Sequence, residues 1–455
     1  MTRNTISFIT GITWFFVFLL LMLVLPLQII TSSPYPAILP YLFIPLILLL
    51  NINNKERDQD LSTSRQQQKI KIYVSLFVVF VLLHFIGQLI FSATGVFDLL
   101  SSLFVYVVPS FFFYYFIRNH NLKALRYILW AIVVAGIIVG GYFVYDSYLK
   151  LIVGEISEYS LRASEYEQIR KNTEDVNNAR LKAFERAYGL LETHSVSAAW
   201  VSFGCFASLA LISFKKTFQR SMIILISLVI LLCGLNFTGI LAFLLTIGIT
   251  ELGFSSYLRG YISKQGLKEA FIVISVLTVI ILAFFTLLSR ESKELVSNLF
   301  EYSIKLLSGD IITREDNDSF VFAFFRGIMN YPSLMMAYFP MGLLTGDGFS
   351  QGFGLNKGGD YGIIETLYRF GIIFFIYTIW GFMYVIKYLF RAINSYTSPN
   401  SPQKQYLKFS VSILIYIFIS EFHFSIWNSK SILVLIFLVL AITYKSMKRD
   451  FELMA

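Results

Sequence analysis

Apolar runs separated by short polar segments dominate the pattern of this chain. A helix that spans a bilayer needs about 20 mostly apolar residues, and about twelve runs come near or above that length. These runs lie at about 7–30, 37–50, 72–92, 97–117, 127–146, 194–214, 221–233, 236–254, 270–288, 361–386, 409–426 and 430–444. The pattern predicts an all-α polytopic membrane protein with about twelve transmembrane helices, in which residues 1–455 form a single integral membrane domain.

One apolar stretch runs without a charge from Ser221 to Phe254, except for Glu251 near its end. A single helix of that length would be far too long for the bilayer. The sequence GLNFTG over 234–239 is the only part of the stretch that favours a break. We therefore predict a tight hairpin between two helices at this point.

Basic residues are distributed unevenly between the two sides of this topology. With the N-terminus inside, Lys and Arg gather in the predicted inside segments, whereas the short outside turns contain only Lys430. Because cytoplasmic loops of membrane proteins carry an excess of Lys and Arg, we expect both termini to be cytoplasmic. The net charge of +9 then faces anionic lipid headgroups, so membrane lipids are the expected partners and no nucleic acid is needed.

Two long segments interrupt the succession of short turns on the outer side. They cover residues 147–193 and 289–360, and long segments without a function are uncommon. The first is rich in helix-forming residues of mixed charge, which predicts an amphipathic helix or helical pair on the membrane surface. The second passes from a helical pattern through a polar turn and an apolar run into a cluster of glycines.

Composition supports the membrane assignment and adds little specific chemistry. Hydrophobic residues make up 56% of the chain and charged residues 14%, far from soluble averages. The aromatic share of 17% suits either sugar stacking or interfacial anchoring, and anchoring is the commoner use. The sequence has no metal-ligand spacing, nucleotide-binding motif or dinucleotide fingerprint. We therefore expect no metal and no cofactor.

The first candidate site lies at the end of the first long segment. Arg186 precedes a glycine, and His194 then enters a predicted helix. An arginine near the outer membrane surface suits phosphate oxygens, because its planar fork donates two parallel hydrogen bonds. The alternative is a side chain that reaches lipid headgroups or pairs with Glu185 or Glu192.

The second candidate site lies in the second long segment. Arg326 is embedded in the apolar run FVFAFFRGIMNY, where a charge is costly unless it is paired or faces water. The glycine cluster that follows includes Gly346 and Gly348, which allow backbone N–H groups to approach a ligand; a plain flexible loop is the alternative. Asp360 then stands at the start of the next helix, as a functional carboxylate or as an ordinary helix cap.

Other ionisable residues are weaker candidates. Arg369 lies further into the same helix, with Asp360, Glu365 or an anionic ligand as its expected partner. Six more lie in predicted helices or near their ends, where structural or interfacial roles are commoner: His84, Asp98, Asp146, Glu251, Glu421 and His423.

At these positions the chain resembles the superfamily of O-antigen polymerases and O-antigen ligases. The resemblance covers most of the chain, with about twelve helices, cytoplasmic termini and two enlarged outer loops. Its local matches are RAYGLLETH over 186–194, GLNFTG over 234–239, GDGF over 346–349 and DYGIIETLYRFG over 360–371. The resemblance implies a bundle like that of the GT-C membrane glycosyltransferases, with two large outer-face loops, in the plasma (inner) membrane of a bacterium.

Members of this superfamily transfer a glycan from a polyprenyl-diphosphate carrier to an acceptor on the outer face. The resemblance implies an undecaprenyl-diphosphate-linked oligosaccharide as substrate and a chain-length regulator protein as a further partner. Arg186 and Arg326 would then stabilise the diphosphate, and Asp360 would accept the proton of the attacking hydroxyl. The remaining substrate-binding residues are Arg314, Arg369, His194, Gly346 and Gly348.

Two departures favour a polymerase of repeat units over a ligase. Ligases of this superfamily typically present a histidine where this chain has Asp360, and their short hairpin often carries a Ser-Arg pair where this chain has Phe237 and Thr238. A ligase that transfers glycan to a lipid core or a protein is the alternative. A flippase for lipid-linked oligosaccharides also has about twelve helices, but the sequence shows no internal repeat of the kind many transporters carry. A non-catalytic scaffold is the last alternative.

Overall fold

The computed structural model describes residues 3–24, 26–27, 44, 46, 65–91, 96–119, 125–163, 189–191, 193–212, 216–234, 236–252, 328–329, 331, 362–395, 401–422, 426–427 and 429–447. Within these ranges the regular structure is helical. The α-helices are α1 (Arg3–Met22), α2 (Arg65–Phe91), α3 (Val96–Asn119), α4 (Leu125–Tyr148), α5 (His194–Leu211), α6 (Thr217–Cys233), α7 (Phe237–Ile247), α8 (Gly362–Ser395), α9 (Pro402–Ser420) and α10 (Lys430–Met447). Short π-helices extend α4 (Leu149–Val153) and α7 (Gly248–Leu252).

The described helices confirm that the protein is all-α and membrane-embedded. Four stretches are long and apolar enough to cross a bilayer: Gln67–Gly87, Leu125–Tyr148, His194–Leu211 and Phe370–Asn394. Shorter apolar helices accompany them. The number of twelve spans and the GT-C-like arrangement stay predictions, and the predicted spans at 37–50 and 270–288 fall almost wholly outside the described residues.

The predicted hairpin between α6 and α7 is confirmed. α6 ends at Cys233, and α7 begins at Phe237 after the Asn236 side chain accepts a hydrogen bond from the Gly239 amide at 2.8 Å. This side-chain cap satisfies one of the amide groups that a helix start leaves without a partner. The apolar run therefore turns back on itself where its glycines and asparagine lie.

Close backbone contact joins α4 to α5. A Cβ atom added at Gly136 would lie 2.9 Å from the Cα of Gly204, a distance that real Cβ atoms do not tolerate. Small residues allow membrane helices to approach closely where the hydrophobic effect no longer drives association. The Gly136–Gly204 contact thus fixes α4 against α5 near the centre of the bundle.

Buried aromatic rings connect α1 and α9 to α5. Trp200 of α5 makes an edge contact with Phe18 of α1 at 5.3 Å between ring centroids, and Phe203 makes one with Tyr416 of α9 at 5.5 Å. All four side chains are almost fully buried. Such edge-to-face pairs add directional packing to burial, so α1, α5 and α9 form one continuous core.

Most of the described Lys and Arg side chains lie at one end of the bundle, and Lys150 and Arg162 lie at the other. At the first of these ends Arg220 donates to the carbonyls of Leu209 and Ile212, and Gln67 donates to the carbonyl of Tyr444 at 3.1 Å. The basic residues of this end are Lys69, Lys71, Arg118, Arg126, Lys216, Arg220, Lys387, Arg391, Lys404, Lys408 and Lys445. We refer to it below as the basic end.

Candidate functional site

The start of α8 is joined to the turn between α9 and α10, at the end of the bundle opposite the basic end. The Ile363 amide donates to the Glu421 carbonyl at 2.8 Å. The Trp427 indole N–H donates to the Thr366 hydroxyl at 2.7 Å, and this hydroxyl donates to the Gly362 carbonyl at 2.9 Å. These bonds link three helices at the point where α8 begins.

Glu421 follows the last residue of α9 and is buried there. Its Oε1 accepts two backbone hydrogen bonds, from the Ile426 amide at 2.7 Å and from the Trp427 amide at 2.8 Å. Its other carboxylate oxygen, Oε2, is buried and has no hydrogen-bond partner among the described residues. A buried oxygen without a partner is costly and uncommon in native proteins, which makes Oε2 the first candidate for contact with a ligand.

A small cavity lies beside this carboxyl group. It has a volume of about 30 Å³ and is bordered by α8, α9 and the turn that follows α9. Its lining is apolar apart from two threonines and the carboxylate: Ile363, Thr366, Phe375, Thr378, Ile379, Phe382, Phe418, Glu421 and Trp427. The volume is large enough for a group the size of a water molecule or a hydroxyl.

Aromatic rings pack tightly on the far side of Trp427. Phe370 lies 5.4 Å and Phe374 6.0 Å from the Trp427 ring, measured between centroids. His84 of α2 contacts Phe370 edge-on at 5.5 Å and is 4% exposed. This packing supports the structural role that the sequence indicated for His84, and it holds the Trp427 indole in place beside the cavity.

α8 is broken five residues after Thr366. Gly371 has φ 78° and ψ 173°, a conformation available almost only to glycine. The helix is therefore divided into a short segment before Gly371 and a long segment after it. The glycine that ends the motif DYGIIETLYRFG is thus the point of a real helix break.

A second buried polar cluster lies where α4 passes into the first long segment. Asp146 is fully buried and pairs with Lys150 at 2.9 Å. Its Oδ1 also accepts hydrogen bonds from the hydroxyls of Ser157 and Ser160, each at 2.8 Å. Burial lowers the pKa of Lys150, and the neighbouring Asp146 carboxylate opposes that shift. We name these four residues the Asp146 cluster.

The two described ends of the first long segment meet beside this cluster. The Tyr159 hydroxyl donates to the Leu190 carbonyl at 3.2 Å. At the far end, Gly189 has φ 80°, and a Cβ there would clash with the Ser197 hydroxyl oxygen. The chain leaves α4 and enters α5 at neighbouring points, although about 30 residues separate Tyr159 from Leu190.

Of the residues predicted for the site, His194 is the one whose side chain is described. It is the first residue of α5 and half-buried, directly after Thr193, whose hydroxyl caps the helix by accepting the Val196 amide at 3.2 Å. Arg369 lies in α8 four residues after Glu365, and its side chain is outside the described part of the chain. The other predicted site residues also lie outside the described residues: Arg186, Arg314, Arg326, Gly346, Gly348 and Asp360.

Two residues that the sequence indicated as weak candidates for the site are buried polar groups in the structure. Glu421 and Asp146 were both expected to be interfacial or structural, because each lies near the end of an apolar run. Asp146 has such a role, since charge and hydroxyl partners surround it. Glu421 differs because one of its oxygens has no hydrogen-bond partner among the described residues, and because the residue lines a cavity. A glutamate at the end of an apolar run was the signal in the sequence.

Comparison with known proteins gives no match, either to a protein-family model or to a curated protein.

Proposed function

We propose that this protein is a polymerase of lipid-linked oligosaccharide repeat units in surface polysaccharide synthesis. It transfers the growing chain from undecaprenyl diphosphate to a new lipid-linked unit on the outer face of the bacterial plasma membrane. The reaction is a metal-independent glycosyl transfer. The motifs over 186–194, 346–349 and 360–371 are the basis of this proposal in the sequence.

One structural observation carries the proposal furthest. The Glu421 cavity and both described ends of the first long segment lie at the same end of the bundle, opposite the basic end. Basic residues favour the cytoplasmic side of a membrane. This arrangement supports an outer-face site that combines a buried carboxylate, an apolar surface and the first long segment.

In the proposed reaction, Arg186 and Arg326 stabilise the charge that develops on the diphosphate leaving group. Paired arginine forks match phosphate oxygens and act without a metal. Asp360 stands two residues before the first described residue of α8, where it approaches the acceptor hydroxyl or caps the helix. Arg314, Arg369, His194 and the glycines Gly346 and Gly348 complete the proposed substrate-binding site.

The test replaces Arg186, Arg326 and Asp360 singly with alanine in a strain that lacks the native gene. Arg162→Ala is the matched control, because Arg162 is an exposed arginine in the same long segment as Arg186. For each variant, membrane insertion is confirmed and the surface glycan is separated by length on a gel. We expect the three variants to lose the length ladder and leave single units, while Arg162→Ala keeps a normal ladder. Normal ladders from all three would contradict the site assignment.

The same gel separates the polymerase from a ligase. A ligase variant would lose all attached glycan and accumulate lipid-linked polymer. A flippase variant would leave unpolymerised units on the inner face of the membrane, where an added membrane-impermeant glycosidase cannot reach them in intact cells.

A flippase is the second candidate because of one observation. The helix break at Gly371 is a feature that many transporters use to expose backbone groups to a substrate. Gly371→Ala separates the two functions. A flippase would trap its substrate inside when this hinge is altered, whereas a polymerase would still show lipid-linked units on the outer face.

A further inference from the structure

We propose that Glu421, rather than Asp360, accepts the proton of the attacking sugar hydroxyl. This inference rests on the proposed function and adds a catalytic residue to it. The observation behind it is the contrast between the two oxygens of a single buried carboxyl group. Oε1 is held by two backbone amides, whereas Oε2 has no hydrogen-bond partner among the described residues, and Glu421 lines the cavity beside α8.

The contacts of Oε1 fix the direction of Oε2. The Ile426 and Trp427 amides bind Oε1 at 2.7 and 2.8 Å, and the next bond of the same turn joins Trp427 to Thr366. The Glu421 backbone carbonyl is itself bound by the Ile363 amide. Rotation of the carboxyl group would break two hydrogen bonds in a buried place, so Oε2 is held in a preorganised orientation.

The cavity suits a hydroxyl group better than a charged ligand. Its volume of about 30 Å³ admits one small polar group, and its lining carries no cationic side chain among the described residues. The Thr366 hydroxyl already accepts the Trp427 indole and donates to Gly362. A substrate hydroxyl that donates to Oε2 would give this oxygen its missing partner, which removes the cost of leaving it unsatisfied.

The proposed step is balanced within the lipid-linked substrates. The acceptor oxygen forms a bond to the anomeric carbon of the donor, and the bond from that carbon to the diphosphate oxygen breaks. The acceptor proton passes to Glu421 Oε2, and the electron pair of the broken bond leaves with the polyprenyl diphosphate. Glu421 is ionised when the acceptor binds, and its apolar surroundings then favour uptake of the acceptor proton, because desolvation disfavours the charged form of a carboxyl group.

If Glu421 is the proton acceptor, Asp360 needs another role. Ile363, which binds the Glu421 carbonyl, is three residues after Asp360. Under this inference Asp360 takes the helix-cap role, which is the alternative that the sequence left open.

The test uses membrane vesicles from cells that make the lipid-linked units, with these endogenous units as the substrate. Glu421→Gln retains a carbonyl oxygen for the Ile426 and Trp427 amides and removes the proton acceptor. We expect the initial rate of chain extension to fall roughly 10²- to 10⁴-fold. Glu158→Gln is the matched control, because Glu158 is an exposed acid in the first long segment, and it should extend chains at the wild-type rate.

Chemical labelling of the wild-type protein avoids any dependence on how a variant folds. A hydrophobic carbodiimide reacts with protonated carboxyl groups in apolar places, and peptide mass spectrometry reports the fraction of Glu421 labelled. We expect extension to be lost in proportion to that fraction. Full extension with Glu421 labelled, or a wild-type rate from Glu421→Gln, would overturn the inference.

These outcomes are distinct from failure of the proposed function. If vesicles without this protein extend chains normally, the polymerase proposal fails. If extension needs the protein and Asp360→Asn abolishes it while Glu421→Gln has no effect, then Asp360 is the base and the inference about Glu421 fails alone.

Discussion

The Trp427 indole N–H donates to the Thr366 hydroxyl oxygen at 2.7 Å, across 61 residues of sequence. This bond joins the turn after α9 to the second turn of α8. Both residues also line the Glu421 cavity. Two helices and a turn therefore form the cavity, and its shape depends on a few buried hydrogen bonds that single substitutions can remove.

Thr366→Val tests the importance of that bond. Valine has nearly the same shape but leaves the buried Trp427 indole N–H without its acceptor, which costs about 1–3 kcal/mol of stability. Thr366→Ser is the control because it keeps the hydroxyl. We expect thermal unfolding in detergent to show a lower midpoint for the valine variant than for the serine variant. Equal midpoints would show that the bond contributes nothing.

The Asp146–Lys150 pair should be sensitive to loss of one partner. Both side chains are almost fully buried, and removal of one charge from a buried pair costs about 3–5 kcal/mol. Lys150→Met should therefore destabilise the protein strongly, and the double variant with Asp146→Asn should recover part of the loss. The measurement is the unfolding midpoint of each single variant and of the double variant.

The chain contains its own control for this prediction. Glu158 and Arg162 form an ion pair with the same spacing of four residues, but their side chains are 77% and 56% exposed. Arg162→Met should change stability by no more than about 0.5 kcal/mol. If the two methionine variants unfold at the same temperature, the Asp146 cluster does not anchor the first long segment.

Gly371→Ala should destabilise α8. A side chain at φ 78° and ψ 173° is strained by about 1–3 kcal/mol. Gly141→Ala is the matched control, because Gly141 lies within α4 and a Cβ there would meet nothing within 4 Å. We expect the Gly141 variant to be at least as stable as the wild type. A stable Gly371 variant would contradict the described break.

Arg220 should stabilise the end of α5. Its guanidinium donates to the Leu209 carbonyl at 2.6 Å and to the Ile212 carbonyl at 3.0 Å, which satisfies carbonyls that a helix end leaves without partners. Arg220→Met should lower the unfolding midpoint, whereas Lys216→Met, at an exposed position one turn earlier, should not. Hydrogen exchange at the last turn of α5 would locate the effect.

Hydropathy alone predicted most of the described helices. Apolar runs determined where α4, α5, α6 and α10 lie, because a bilayer admits little backbone that is not helical. The break before Phe237 was also predictable, since Gly234 and Asn236 disfavour a continuous helix. Helix positions and helix breaks of this kind are determined by the local sequence.

The environment of Glu421 could not be predicted in the same way. Its burial depends on Ile363 and Thr366, which come more than 50 residues earlier in the chain. A sequence shows that an acid lies near the end of an apolar run, but not which side chains surround it. The Asp146 cluster could not be predicted for the same reason. A π-helix and the residues that follow it bring Ser157 and Ser160 back to α4.

The measurement that tests the polymerase proposal most directly is reconstitution. The purified protein is placed in liposomes with lipid-linked repeat units extracted from a strain that lacks it, and the products are separated by length. The account predicts lipid-linked chains of several units, with one undecaprenyl diphosphate released for each new bond. If the wild-type protein leaves every lipid with a single unit, the protein is not a polymerase of these units.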